Sequence, residues 1–135
     1  MNLNMDMLMS FAKILFTMIL FSFLFIKPSF AQNKEKYLSF AQTMPQPVGG
    51  ISAIYKYLTY PEAARNTHLE GKVYLLVYVD ENGKVNKVTV IKGLGLGCDE
   101  AASNAIKKVN FSPGKNKGKP VKVKLAIAVS FQLSN

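Results

Sequence analysis

The chain has 135 residues, with 17 Lys plus Arg against 8 Asp plus Glu, one Cys, one His and no Trp, for a formal net charge of +9. That length supports about one domain and falls short of the roughly 250 residues of a TIM barrel. One Cys excludes an intramolecular disulfide and a multi-Cys metal site, and a 49% hydrophobic content argues against wholesale disorder.

The first element is apolar. Residues 14–26, ILFTMILFSFLFI, run without a charge between Lys13 and Lys27. As a helix this run is about 20 Å long, shorter than the roughly 30 Å hydrocarbon core of a bilayer. A short apolar run behind a basic residue is the pattern of a secretory signal. Ser29-Phe30-Ala31 places small residues at −3 and −1 of a cut before Gln32. Extending the run back through Met7 brings Lys13 inside it and gives the alternative, a retained membrane anchor. Both readings export the rest. The expected organisation is a signal segment over 1–31, a linker or loosely docked lead-in over 32–48, and a domain over 49–135.

In the exported part, Ile51, Ile54, Tyr55 and Leu58 recur at helical spacing, so 51–58 is predicted as a helix. Thr59-Tyr60-Pro61-Glu62 has the spacing of a capping box ahead of a second helix over about 61–68, closed by Gly71. Val73, Leu75, Val77 and Val79 alternate with Tyr74, Leu76, Tyr78 and Asp80, which predicts a strand. Asp80-Glu81-Asn82-Gly83 turns it into a partner strand over 84–92, whose broken alternation predicts a bulge near Asn86-Lys87. Asp99 is the expected N-cap of a helix over 100–109, with Ala102, Ile106 and Val109 on its inner face. Residues 115–120 read as a basic loop. From Val121 to Leu133 the apolar residues hold every odd position, a predicted strand of about 43 Å at the strand rise. The fold class is therefore α+β: a small antiparallel three-stranded sheet covered by helices, in the order α-α-β-β-α-β, with a long C-terminal edge strand.

Catalytic chemistry finds little support. His68 stands alone at a helix end, and Cys98 has no His beside it to activate the thiol. Asp80 and Glu81 fall where a turn wants acids. Gly93-Leu94-Gly95-Leu96-Gly97 follows a strand and opens a helix, but it lacks the final Gly of a dinucleotide fingerprint and follows a hairpin strand. No enzyme, cofactor or metal is expected. Seven lysines, from Lys107 to Lys124, crowd 18 residues that contain no acid. They read as a solvated guard on an edge, as a contact for anionic lipid or an acidic partner, or as a nucleic-acid patch. Export and the missing stacking platform count against nucleic acid. A long edge strand offers unpaired main-chain groups to which an extended peptide can add. Pairing with its own copy in a homodimer and simple overhang are the alternatives.

Several of these segments together resemble a known family. Tyr60-Pro61-Glu62-Ala63-Ala64-Arg65, Leu69-Glu70-Gly71-Lys72-Val73, Val79-Asp80-Glu81-Asn82-Gly83-Lys84-Val85, Cys98-Asp99-Glu100-Ala101-Ala102, Phe111-Ser112-Pro113-Gly114 and Gly118-Lys119-Pro120-Val121 occur in the order of the TonB C-terminal domain. The Gly49-Gly50 lead-in is similar to Bacteroidetes-type members. Val109 and Asn110 stand where many members carry a Trp. The resemblance implies a periplasmic domain that grips outer-membrane receptors by strand addition in energy-coupled transport. It also implies an inner-membrane motor as a partner if the N-terminus is retained as a single-pass anchor. The implied partner-binding residues are Val121, Lys122, Val123, Lys124, Leu125, Ala126, Ile127, Ala128, Val129, Ser130 and Phe131, supported by Tyr60, Pro61 and Phe111. The family's long Pro-rich spacer has no counterpart in residues 32–48, which reach about 60 Å when extended, too short to cross a periplasm from an inner-membrane anchor. A stand-alone envelope interaction or assembly domain, dimeric through its last strand, is thus the alternative expectation. N-terminal sequencing of the native protein is expected to begin at Gln32; a start at Met1 refutes cleavage.

Overall fold

The structure is a computed structural model that describes residues 4–23 and 36–134. It divides into two compact units, Met1–Lys34 and Glu35–Asn135. In the first, α1 spans Met5–Phe23, about 28 Å at the helical rise. By length and composition, its window Met5–Ser22 is able to cross a membrane. The helix begins well before the charge-free run because Met7, Leu8, Met9 and Ala12 are good helix formers, and one lysine does not break a helix. The expected cut after Ala31 lies outside the described residues.

In the second unit the elements in order are β1 (Gln46–Pro47), α2 (Ser52–Tyr55), α3 (Glu62–Asn66), β2 (Gly71–Val79), β3 (Val85–Lys92) and α4 (Cys98–Lys107). They are followed by β4 (Phe111–Ser112), β5 (Gly114–Asn116), β6 (Lys119–Val121) and β7 (Val123–Phe131). The main sheet is antiparallel, in the order β3-β2-β7. This is the expected α+β class, and the last strand is at an edge.

The alternation in β2 sends Val73, Leu75, Val77 and Val79 into the core, where all four are fully buried. From β7, Ile127, Val129 and Phe131 join them on the same face. The amphipathic stripe of α4 closes this face with Ala102, Ala105 and Ile106, and Ile54 of α2 and Ala64 of α3 fill its margin. Burying each large aliphatic side chain contributes about 1.5–3 kcal/mol. Among the described residues every core residue lies between Ala41 and Phe131, so the second unit has its own core, to which α1 contributes nothing.

Several local expectations are revised. The helix at 51–58 shrinks to the single turn of α2: Ile54 is buried, Ala53 and Leu58 pack partly buried against the core, and Ile51 and Tyr55 stay exposed. No capping box forms: Pro61 is the N-cap of α3 and makes no side-chain cap bond. The chain leaves α3 through His68, which takes the left-handed conformation, so Gly71 is free to begin β2. Gly97, not Asp99, caps α4. The carboxylate of Asp99 turns back and accepts the N–H of Leu94 at 2.8 Å. The predicted bulge is present, with Asn86 skipped between the pairs Val79–Val85 and Tyr78–Lys87. A second bulge, at Ile91, was not legible in the pattern. The basic loop is a hairpin, β5–β6, closed by Lys117-Gly118, both at positive φ as a two-residue turn requires.

The thirteen-residue strand is two strands. It breaks at Lys122: β6 pairs with β5, and the nine residues of β7 all pair with the nine of β2. Leu133 has left the ladder and donates its N–H to the Glu70 carboxylate at 2.6 Å. Residues 36–48 run along the same region. Leu38 bridges Val123 in parallel, Thr43 bridges Lys115, β1 pairs with β4, and Ala41 is buried.

The β2–β3 turn is locked from outside. Asp80 Oδ1 accepts the N–H groups of Asn82 and Lys84, each at 2.9 Å. The carbonyl of Gly83 accepts the N–H of Phe111 at 2.9 Å. Gly83 sits at φ +80°, and a Cβ there would meet the Phe111 carbonyl oxygen at 1.9 Å. Gly95 has φ +81° with nothing within 4 Å of such a Cβ. Gly95→Ala is therefore expected to lose about 1–2 kcal/mol from the left-handed backbone alone. Gly83→Ala, which adds a backbone collision, is expected to lose at least about 3 kcal/mol. Urea unfolding of the two variants measures the difference; equal losses would refute the collision.

Candidate functional site at the outer edge of the last strand

One flank of β7 is paired along its full length with β2. Main-chain groups alternate sides along a strand, so the even-numbered residues of β7 direct their N–H and C=O outward. At one end the outward groups are taken: Leu38 donates to the Lys122 carbonyl and accepts from the Lys124 N–H, both at 2.9 Å. At the other end the Ser130 N–H donates to the Tyr55 hydroxyl at 3.0 Å. Between these plugs, Ala126 and Ala128 are exposed and make no outward bond among the described residues. The open edge is thus a window about five residues long, from Leu125 to Val129.

Beyond the window, the end of β7 borders a groove of about 330 Å³ lined by Tyr55, Leu58, Tyr60, Ser130, Phe131 and Gln132. Tyr60 forms its wall. The Tyr60 ring meets Phe131 edge-on at 5.4 Å, its hydroxyl donates to the Leu69 carbonyl, and Arg65 lies 5.9 Å from the ring centre. Desolvation, with Glu70 and Cys98 adding to it, raises the Tyr60 pKa above its ordinary value, and Arg65 opposes them.

The fourteen residues singled out from sequence fall into unlike places. Val123, Ile127, Val129 and Phe131 are buried side chains of the core and turn their main-chain groups to β2, so they offer a partner neither side chain nor backbone. Leu125 is partly buried against the same core. Lys124, Ala126, Ala128 and Ser130 carry the outward edge. Lys122 joins β7 to the preceding hairpin, and Val121 belongs to β6. Pro61 caps α3, and Phe111 is buried with its N–H on Gly83. Tyr55 and Leu58 were missed as site residues. Their helical spacing reads as a core face, and nothing local shows that the chain brings them to the end of β7.

The remaining chemical candidates disperse. Cys98 is fully buried in the core while His68 is exposed. Burial raises the Cys98 pKa, and the carboxylates of Asp99 and Glu100 push it further in the same direction. Among the described residues no group of three or more His, Cys, Asp or Glu could hold a metal ion. The glycine loop at 93–97 does not form a phosphate cradle, because Asp99 already occupies the N–H groups of Leu94 and Gly95. The lysine cluster splits three ways: Lys107 and Lys108 at the end of α4, Lys115, Lys117 and Lys119 on the hairpin, and Lys122 and Lys124 at β7.

Fold and site define a small two-layer α+β domain with a partly open edge strand. Comparison with known proteins gives its family. Residues 56–133 match the model of the Gram-negative bacterial TonB protein C-terminal, and the chain belongs to that family. It is 34% identical over 76 residues to Protein TonB of Xanthomonas campestris pv. campestris strain B100, covering 56% of this chain, and equally to that of strain ATCC 33913. The match spans 34%, about a third, of the length of those relatives. The solution structure of the Helicobacter pylori TonB-CTD aligns with a TM-score of 0.42 and 26% identity, over 58% of this chain and 86% of that one.

A protonated thiol in a closed core resists alkylation. Iodoacetamide at pH 8 is expected to leave Cys98 unmodified in the folded protein and to label it fully in denaturant. Rapid labelling of the native protein would show an open path to the thiol.

Proposed function

We propose that this chain acts as a TonB-like binding domain in the periplasm, engaging a segment of an outer-membrane receptor by strand addition in energy-coupled transport. The observation that carries the reading is the window at Ala126 and Ala128, where the outward main-chain groups have no partner among the described residues, on a strand whose other flank is fully bonded. Strand addition draws affinity from such groups and selectivity from alternate side chains. An added segment would lie between Leu38 and Tyr55, with the groove at Tyr60 receiving its end. The plugs favour a short peptide over a copy of the chain, since two long strands pairing edge to edge would collide with both. A cleaved signal and a retained α1 both deliver the domain to the periplasm. Retention would add the anchor that coupling to an inner-membrane motor requires.

Peptides copied from receptor N-terminal segments, titrated into the folded domain, are expected to shift the backbone amides of Ala126 and Ala128 most. Ala128→Pro removes an outward donor at an edge, where proline is tolerated, and is expected to weaken binding at least about tenfold with unfolding unchanged. Amides of β7 that stay silent at saturating peptide would refute the proposal. Concentration-dependent shifts without peptide would point instead to a homodimer through the same edge.

A further inference from the structure

We propose a second surface: the face of the β3–β2–β7 sheet opposite the helices docks on an anionic lipid bilayer. This goes beyond the strand-addition reading and does not rest on it. Cross-strand partners share a face. The register therefore lays Lys92 and Ala128 on either side of Tyr74, Thr89 and Ala126 on either side of Leu76, and Lys87 and Lys124 on either side of Tyr78. Lys72, opposite Ser130, completes the face at its far end. Four lysines thus surround a centre of tyrosine and leucine, and Tyr74 keeps 40% of its surface exposed.

No acid occurs within β2, β3 or β7. The carboxylates at the two ends of β2 are turned to backbone: Glu70 holds the Leu133 N–H, and Asp80 holds its own turn. The face is therefore cationic without compensation from its own strands. It extends about 20 Å along β2 and about 10 Å across, with alanines at one border, and so presents a broad patch rather than a single line of charge. Hydrated ammonium groups on flexible stems suit lipid phosphates, and tyrosine favours the membrane–water boundary.

A third observation concerns the route of the chain. The first residues described in the globular unit enter on this face. Tyr37 packs edge-on against Tyr78 at 5.0 Å, its hydroxyl accepts from Asn86, and Lys122 stands 5.9 Å from its ring. Twelve residues separate Phe23, the end of an apolar helix of membrane-crossing length, from Lys36. Where α1 is retained, the chain that follows it joins the globular unit on the lysine–tyrosine face.

The test uses the Glu35–Asn135 unit, which has its own core, and co-sedimentation with vesicles. Binding is expected to vesicles containing about one third phosphatidylglycerol and not to pure phosphatidylcholine. Each lysine near such a surface is worth about fivefold. The triple variant Lys72→Gln, Lys87→Gln, Lys92→Gln is therefore expected to lose roughly 100-fold. The hairpin triple Lys115→Gln, Lys117→Gln, Lys119→Gln removes the same charge and is expected to lose less than about threefold. Should the face triple fail to fold, Lys92→Gln alone is expected to lose about fivefold. Equal losses in both triples would reduce the effect to net charge and overturn the proposal. So would absent vesicle binding, with or without capture of a soluble oligoglutamate by the same lysines. Receptor-peptide titration of the face triple should be unchanged, which separates this surface from the edge.

Discussion

The antiparallel ladder between β2 and β7 is the interaction on which the rest of the domain depends. It joins two segments that start more than fifty residues apart and pairs them residue for residue, from Gly71 with Phe131 to Val79 with Val123. It places β2 in the middle of the sheet, so that both of its flanks are bonded and its four inward side chains are sealed. It also makes β7 an edge. A strand inserted beyond β7 would have closed the sheet on that side and removed the window at Ala126 and Ala128. The same pairing therefore sets the stability of the core and the availability of the candidate site. The helices complete this arrangement without adding to its logic. α4 seals the inner face, and α2 brings the Tyr55 hydroxyl to cap the edge at Ser130.

Much of the fold was legible because the central hairpin states itself locally. Strict alternation in β2 and the Asp-x-Asn-Gly turn need no tertiary information, and the slip at Asn86 marks a real bulge. The helix α4 was equally plain from Ala102, Ile106 and Val109. The last strand shows where local pattern stops. Alternation continues without interruption through Lys122, yet the partner changes there from β5 to β2. A period of two reports which face a side chain takes, not which strand it pairs with, so one apparent strand concealed two. The caps failed for a related reason. Thr59 and Asp99 have capping chemistry at plausible spacing, but a carboxylate or hydroxyl takes whichever N–H the chain presents, and Asp99 finds the loop before α4 instead.

The edge position of the last strand was legible in the sequence, but the length of its open stretch was not. The two plugs that shorten its open stretch come from Leu38 and Tyr55, at sequence separations of 75 or more from the groups they cover. Leu38 lies in a polar stretch without periodicity, where a few main-chain bonds and the buried Ala41 hold the segment down. The lysines show the converse error. Their density between Lys107 and Lys124 suggested one basic patch, and the fold scatters it, while Lys72, Lys87 and Lys92 assemble a face that no window of sequence displays.

The parallel bridge between Leu38 and β7 has a mechanical consequence. Any load applied to the chain ahead of Lys36 enters the domain through this bridge and the Tyr37 ring. A pull along the β7 axis strains both hydrogen bonds together, whereas a pull across it breaks them one after the other. The direction of traction therefore governs whether residues 36–43 stay seated or peel away, and peeling lengthens the bare margin of β7 toward Lys122.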